Sequence, residues 1–419
     1  MSYHRNNRAG GGRGRNRENF GNRDGGRGST SSGCKKGSEI CRRFILGGCD
    51  FEQINGRPCR YPHLLKKIGE TRGHSGPVKD IVLWNARQQV FTCGADSCLK
   101  LWDCASWNEI STLSVLAPSN GIAIGKKSSQ KSEGVVSMVL EGPFLFAGFE
   151  STYQYNSSLS VGMIRAWNLE MPQMPPFEFY TNESSKHAHT MNVLSLAVAT
   201  DSSGGATLFS GSADGSIKYW KLDPVANVFR CSGTLEGHTR GVTRLKTTLI
   251  STMPVLASAS VDSTIRLWDL ATYQCIKVLS LEEGGHTDAV MDLEMWANQS
   301  ESFLISGGLD SEVIVWNLSP PFQQVFKETQ SCQVTAICGA QDAISQPILL
   351  IGSTDGSITI KELPTFAYKT TLSTSANYGH QDAVRRIISG PHNTLFSVGN
   401  DRKMIAWQIT GDIRSIESK

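Results

Sequence analysis

One string recurs along this chain and limits what it can fold into. Two or three apolar residues are followed by Ser or Thr, then small residues, then Asp, and six positions after the Asp comes Trp. Five copies fit: Phe91-Thr92 with Asp96 and Trp102, Phe209-Ser210 with Asp214 and Trp220, Leu256-Ala257-Ser258 with Asp262 and Trp268, Ile305-Ser306 with Asp310 and Trp316, and Phe396-Ser397 with Asp401 and Trp407. A His precedes each copy: His74, His189, His238, His286 and His380. The period is roughly 40 residues, the length of a four-stranded unit that cannot bury its apolar face alone and must stack on neighbours. Between His and Ser the apolar residues alternate, as in Val290, Leu293, Phe303 and Ile305, which reads as two short strands.

Sets of Ser or Thr, His and Asp invite comparison with a hydrolase, but a catalytic triad is needed once and does not come with Trp at a fixed spacing. With the Asp in the turn between the second and third strands, its carboxylate holds the His, the His reaches the hydroxyl, and the hydroxyl faces the indole N–H. Such a chain satisfies buried polar groups that would otherwise cost about 1–3 kcal/mol each. The chain has no nucleophile elbow, phosphate-binding Gly loop with Lys, or His-Glu-x-x-His string, so a non-enzyme is expected.

These residues resemble the WD40 repeat family, whose signature is Gly-His followed by Trp-Asp, from residue 64 onward. Two degenerate units fill the gaps in the period, one from Val135 to Trp167-Asn168 and one from Val334 through Asp355 to Lys361, which makes seven blades. The second lacks the His, has Ala147 where Ser is expected, and expands its turn over residues 149–156. The sixth has Cys332 near the His position, Gly352 for Ser and Lys361 for Trp. Both keep the apolar pattern, so packing is expected to hold them. Two long polar loops, residues 117–134 and 169–187, the latter with Pro172, Pro175 and Pro176, are read as partner-binding loops or plain insertions. A propeller must tie its ends to avoid open strand edges. Residues 65–70 are expected to complete the blade of Trp407, with residues 412–416 as the rival.

The start of the chain is different. Residues 1–33, with Gly10-Gly11-Gly12-Arg13-Gly14-Arg15 and Gly25-Gly26-Arg27-Gly28, lack the apolar surface that offsets ordering entropy and are expected to be disordered. Residues 1–63 hold 13 Lys and Arg against 5 Asp and Glu, a net +8, which leaves −5 for the rest of a chain of formal charge +3. That asymmetry points to a basic arm that meets a polyanion. No run approaches the ~20 apolar residues of a membrane span, and no apolar signal segment opens the chain, so a soluble intracellular protein is expected.

Residues 34–63 contain four of the eleven Cys, and an odd total without an export signal favours metal ligation over disulfides. Cys41, Cys49, Cys59 and His63 give C-x7-C-x9-C-x3-H. Cys34 is a rival first ligand that lacks the following aromatic. Three thiolates and one imidazole suit tetrahedral Zn2+, and a closed set of four marks a structural site. So short a segment needs a metal to fold. It resembles the CCCH zinc-finger family, whose usual form is near C-x8-C-x5-C-x3-H. Cys41-Arg42-Arg43-Phe44 and Gly47-Gly48-Cys49 match the opening and Cys59-Arg60-Tyr61-Pro62-His63 the close. The middle departs: residues 50–58 stand where about five are usual, and Asn55-Gly56 marks the excess as a turn.

CCCH fingers commonly bind single-stranded RNA. The resemblance makes Phe44, Phe51 and Tyr61 platforms for stacked bases and Arg42, Arg43, Arg57 and Arg60 their flanking cations. The other reading packs Phe44 and Tyr61 over the metal and leaves the Arg as a solvated face. The Arg-Gly tail resembles those of RNA-associated proteins. A CCCH finger directly followed by a seven-bladed propeller resembles a group of plant CCCH and WD40 proteins, which implies nucleic-acid binding and nuclear residence, with the cytoplasm as the alternative.

The expected architecture is all-β: a disordered Arg/Gly-rich tail (residues 1–33), a CCCH-type zinc finger (34–63) and a seven-bladed WD40 β-propeller (64–419). The expected function is that of a monomeric, non-enzymatic adaptor, with finger and tail on RNA and the propeller on protein partners. Two alternatives stay open, DNA binding through the same finger and a protein scaffold such as a ubiquitin-ligase substrate receptor. Such receptors carry Arg or Lys two places after Trp-Asp, where this chain has Ala105 and Ala271.

Overall fold

The structure, a computed structural model, describes residues 41–46, 48–57, 59, 63–114, 134–150, 152–153, 160–182, 187–200, 205–298, 301–372 and 379–411. The expected disorder of residues 1–33, most of the 117–134 loop, and residues 412–416 lie outside them. The described chain forms a seven-bladed β-propeller. Blade one is Val78–Trp84, Gln89–Gly94, Cys98–Asp103 and Glu109–Ser114, a consecutive antiparallel sheet. Blades three to six repeat that order, and each innermost strand packs against the innermost strand of the next blade.

Blade seven closes the ring. Its three inner strands come from the end of the chain, and its outer strand is Leu65–Thr71, paired antiparallel with Met404–Ile409 from Leu65↔Ile409 to Thr71↔Met404. The expected closure is therefore the one formed. No helix of the described residues is long and apolar enough to cross a membrane.

All five expected polar tetrads are present. In blade four, His238 Nδ1 lies 2.9 Å from Asp262 Oδ2, His238 Nε2 lies 2.8 Å from Ser258 Oγ, and the Trp268 indole N–H donates to that Oγ at 2.9 Å. The same links join His74, Asp96, Thr92 and Trp102; His189, Asp214, Ser210 and Trp220; His286, Asp310, Ser306 and Trp316; and His380, Asp401, Ser397 and Trp407. Each Asp also accepts the backbone N–H of the residue after the His. All five hydroxyls are fully buried and already engaged by Trp, so they serve the architecture.

The two irregular blades differ from expectation in instructive ways. Among the described residues blade two has three strands, Val135–Glu141, Phe144–Phe149 and Ile164–Asn168. The fourth would fall on the segment holding Pro172, Pro175 and Pro176, which cannot donate to a ladder. Instead Phe177 makes one bridge to Ala166, and Phe179–Tyr180 runs parallel to the outer strand of blade three. Phe177 and Phe179 are buried, and Phe179 stacks on Phe229 at 4.7 Å, so this loop is partly core.

In blade six the register places Ile351, not Gly352, opposite the position that Ser306 holds in blade five: Ile337 pairs with Ile351 as Leu293 pairs with Ser306. The expected Gly352 is one residue off, because the hydroxyl stands four places before the Asp in every intact copy and Ile351 stands four before Asp355. Lys361 does take the Trp position. It is 2% exposed, and its ammonium is held by Glu328 of blade five at 2.7 and 2.8 Å, so an inter-blade ion pair replaces the tetrad.

A second polar system runs around the axis. Each innermost strand opens with a fully buried Val, at 78, 135, 193, 242, 290, 334 and 384, and breaks register at the next residue. The third residues are Asp80, Ser137, Ser195, Arg244, Asp292, Ala336 and Arg386. All but Ala336 link consecutive blades. Asp80 accepts the Met138 N–H, the Ser137 hydroxyl donates to the Val193 carbonyl, and Ser195 accepts the Leu245 N–H. Arg244 donates to Asp292 at 2.7 Å, and Asp292 accepts the Ile337 N–H. From blade six the Thr335 hydroxyl donates to the Val384 carbonyl, and Arg386 lies 3.6 Å from Asp80. Ala336 leaves room for Arg386 to reach Asp292 as well, at 2.9 Å. Burial opposes charge on Asp292, but the two guanidiniums beside it hold its carboxyl below the usual range.

Two outcomes test this account. Asp262→Ala leaves His238 partly unsatisfied and should cost roughly 1–3 kcal/mol, whereas Asp292→Ala takes a fully buried carboxylate from two part-buried guanidiniums and from the Ile337 N–H and should cost about 3–5 kcal/mol; urea unfolding of each variant gives the order. The second concerns acid. Burial tends to raise the pKa of Asp96, Asp214, Asp262, Asp310 and Asp401, but hydrogen bonds from the paired His and from neighbouring N–H groups outweigh it and lower all five, Asp310 to about 2. Their stabilisation is therefore complete above the unfolded value of about 4 and is lost as pH falls through the folded values. Melting temperature should drop steeply below about pH 4, and a flat profile from pH 5 to 2 would contradict it.

Candidate metal centre

The four expected ligands converge although 21 residues lie between the first and the last. Cys41 precedes the short helix Arg42–Ile45, and its carbonyl accepts the Ile45 N–H. The departure in spacing has a structural explanation. Residues 50–58 are not all turn: Phe51–Asn55 is a helix, ended by Gly56 at φ 64°, a left-handed conformation that favours Gly. The extra residues are thus taken up as one helical turn that returns the chain to Cys59.

The ligand atoms of Cys41, Cys49, Cys59 and His63 all lie within 4.8 Å of one another. Cys41 Sγ and Cys59 Sγ are 3.6 Å apart, close to the ~3.8 Å that separates two thiolates held at about 2.3 Å in a tetrahedron. His63 Nε2 is buried and has no hydrogen-bond partner. A buried acceptor left unpaired is costly, and a metal ion satisfies it. The residues therefore fit a four-ligand metal site. Burial lowers the His63 pKa, which favours the neutral imidazole that ligation needs.

The expected nucleic-acid residues divide. Phe44 lies flat on the His63 ring, centroids 4.3 Å apart and planes 2° from parallel, so one of its faces supports the ligand. Phe51 is half-buried, with the Arg57 guanidinium 5.9 Å from its ring centre. Arg43 is exposed and pairs with Asp50 at 3.0 Å. The side chain of Arg42, and Arg60, Tyr61 and Cys34 altogether, lie outside the described residues. Leu46 and Ile54, 64% and 65% exposed, are aliphatic surface on the finger that no motif singled out; only the helical placement of residues 51–55 turns Ile54 outward. A second convergence, His286, Asp310 and Glu312, consists of two members of the blade-five tetrad and a Glu312 paired with Lys327 at 2.7 Å.

The finger is not a separate bead. Ile45 is 3% exposed, in one cluster with Leu64, Leu65, Ile348, Leu350, Trp407 and Ile409, so its helix packs on blades six and seven.

Comparisons with known proteins agree with this geometry. The family model "WD domain, G-beta repeat" matches residues 65–103, 181–221, 229–269 and 273–317. The chain is similar to zinc finger CCCH domain-containing proteins 48 and 63 of Arabidopsis thaliana, with 26% identity over 210 residues and 28% over 208. It is also similar to zinc finger CCCH domain-containing protein 17 of Oryza sativa subsp. japonica, 28% identical over 211 residues. These matches take in 49, 48 and 49% of this chain and 38, 36 and 38% of those proteins, so the chain spans less than half the length of the relatives it matches.

Thiol reactivity tests the geometry. Cys41 is buried and Cys49 half-buried. Because alkylation needs access to the sulfur, mass spectrometry after brief alkylation of the metal-loaded protein should find Cys49 modified well before Cys41. The reverse order would show that the ligands do not sit as described.

Proposed function

We propose that this chain, with its WD40 repeats and its similarity to plant CCCH zinc finger proteins, is a non-enzymatic RNA-binding adaptor. Its finger, closed by one zinc ion, and its basic tail hold single-stranded RNA while the propeller engages protein partners. The observation that carries this reading is the surface beside the Cys3His quartet, where Phe51 lies under the Arg57 guanidinium with Arg43 nearby. An aromatic face flanked by cations suits a stacked base and its phosphates. Three thiolates and one imidazole suit zinc, and four protein ligands leave no open catalytic position.

The charge of +8 over residues 1–63 supplies attraction to phosphate that the acidic remainder lacks. The propeller supports protein recruitment, as a rigid scaffold presenting loops. The same reading makes the protein a nuclear monomer.

Native mass spectrometry should find one zinc per chain, absent in Cys49→Ser. For RNA, deleting residues 1–63 should abolish binding to a single-stranded oligonucleotide. Log K of the intact protein should fall with log salt by about 0.7 per phosphate neutralised, and replacing Arg13 and Arg15 should flatten that slope. Phe51→Ala should instead cost about 1–3 kcal/mol of affinity with the slope nearly unchanged. Undiminished RNA binding by residues 64–419 would overturn the reading, and preference for duplex DNA over RNA would replace it.

A further inference from the structure

The metal ligands sit at the seam of the ring. His63, the last of them, is followed by Leu64 alone before the closing strand begins at Leu65. The main chain of this stretch is tied to the far end of the propeller. The Leu64 carbonyl accepts the Thr410 N–H at 2.9 Å, and the His63 carbonyl accepts the Thr410 hydroxyl at 3.3 Å. A Cβ on Gly411 would come within 2.6 Å of the His63 carbonyl oxygen, so the two chain segments are in close contact there. Gly411 in turn accepts the Ala343 N–H of blade six. At the other end of the ligand set, Ile45 lies one helical turn after Cys41 and is buried with Leu64 and Leu65 against Trp407, Ile409, Ile348 and Leu350. First and last ligands are therefore anchored in a single cluster that joins the closing strand to blades six and seven.

We infer that the finger is a metal-dependent latch on ring closure, in which occupancy of the Cys41, Cys49, Cys59 and His63 site holds the strand Leu65–Thr71 in register on Met404–Ile409. The inference rests on the proposed metal site and is independent of RNA. Its physical basis is chain entropy. The outer strand of blade seven is the only strand of that blade not connected to the others by a short turn. It must be fixed by packing and by whatever orders the residues before it. A metal that ties residue 41 to residue 63 orders those residues and adds Ile45 to the contacts of the strand. When the metal leaves, residues 41–63 regain their freedom and the strand is held at one end less. Because blade seven is the only blade made from both ends of the chain, loosening there opens the ring, whereas loosening any other outer strand does not.

Hydrogen–deuterium exchange on the full chain tests this, with zinc content read by native mass spectrometry on the same samples. Removing zinc with a chelator should speed exchange in residues 65–71 and 404–409 by tenfold or more, with far smaller changes in residues 290–297 and 312–317 of blade five. The melting midpoint should fall by about 3 °C or more. Ile45→Ala should still bind one zinc, but its midpoint should respond to the chelator at most half as much as that of the natural chain. Zinc-loaded protein whose closing strands exchange at the same rate before and after chelation would overturn the latch while leaving the metal site standing. Protein that holds no zinc would overturn both.

Discussion

The pairing of residues 65–71 with residues 404–409 is the constraint on which the ring depends, because every other blade is drawn from one continuous stretch of chain. A propeller with an open seam would expose two strand edges and the apolar faces of two blades. Here one antiparallel ladder joins both ends of the chain, and the cluster beneath it, with Leu65, Trp407 and Ile409 at its centre, is shared by blades six and seven. The finger is continuous with that ladder through Leu64. Finger, closing strand and ring are thus successive links in one covalent and packed path.

Within the ring, two polar systems divide the work. The tetrads stabilise each blade from inside by satisfying a buried His, hydroxyl, indole and carboxylate together. The residues around the axis, from Asp80 to Arg386, instead join each blade to the next. This division explains how blades two and six persist without a tetrad. Both keep their links to their neighbours, through Ser137 and Thr335. Apolar Ala147 and Ile351 at the hydroxyl positions need no polar partner. The loss of one tetrad costs a blade some stability but does not break the circle.

The division also separates function from architecture. Five buried hydroxyls, each receiving an indole N–H, have no free role as nucleophiles. The finger presents accessible groups: an exposed Arg43, a half-buried Phe51 with Arg57, and the aliphatic surface of Leu46 and Ile54. Phe44 is committed on one face to the ring of His63. Of the residues read as RNA platforms it is therefore the one whose loss would disturb the metal site as well as any base stacked on its open side.

The sequence by itself determined the repeat, the five tetrads and the convergence of Cys41, Cys49, Cys59 and His63, because each depends on local spacing, and it pointed to closure by residues 65–70 because a propeller cannot leave a strand edge open. Hydroxyl to Trp is ten residues in every intact blade, and strand alternation with a tight turn leaves no other register. Only the tertiary structure decided what depends on contacts between distant segments. The proline-rich stretch after blade two gives up its own sheet and sends Phe179–Tyr180 to blade three. Lys361 is satisfied by Glu328 of another blade, and the polar circle around the axis is completed by Arg386 reaching past Ala336 to Asp292. The finger, read as an independent module, is docked by Ile45. A single apolar residue beside a metal ligand carries no periodic signal, and where it is buried is set by the surface that the folded ring presents to it.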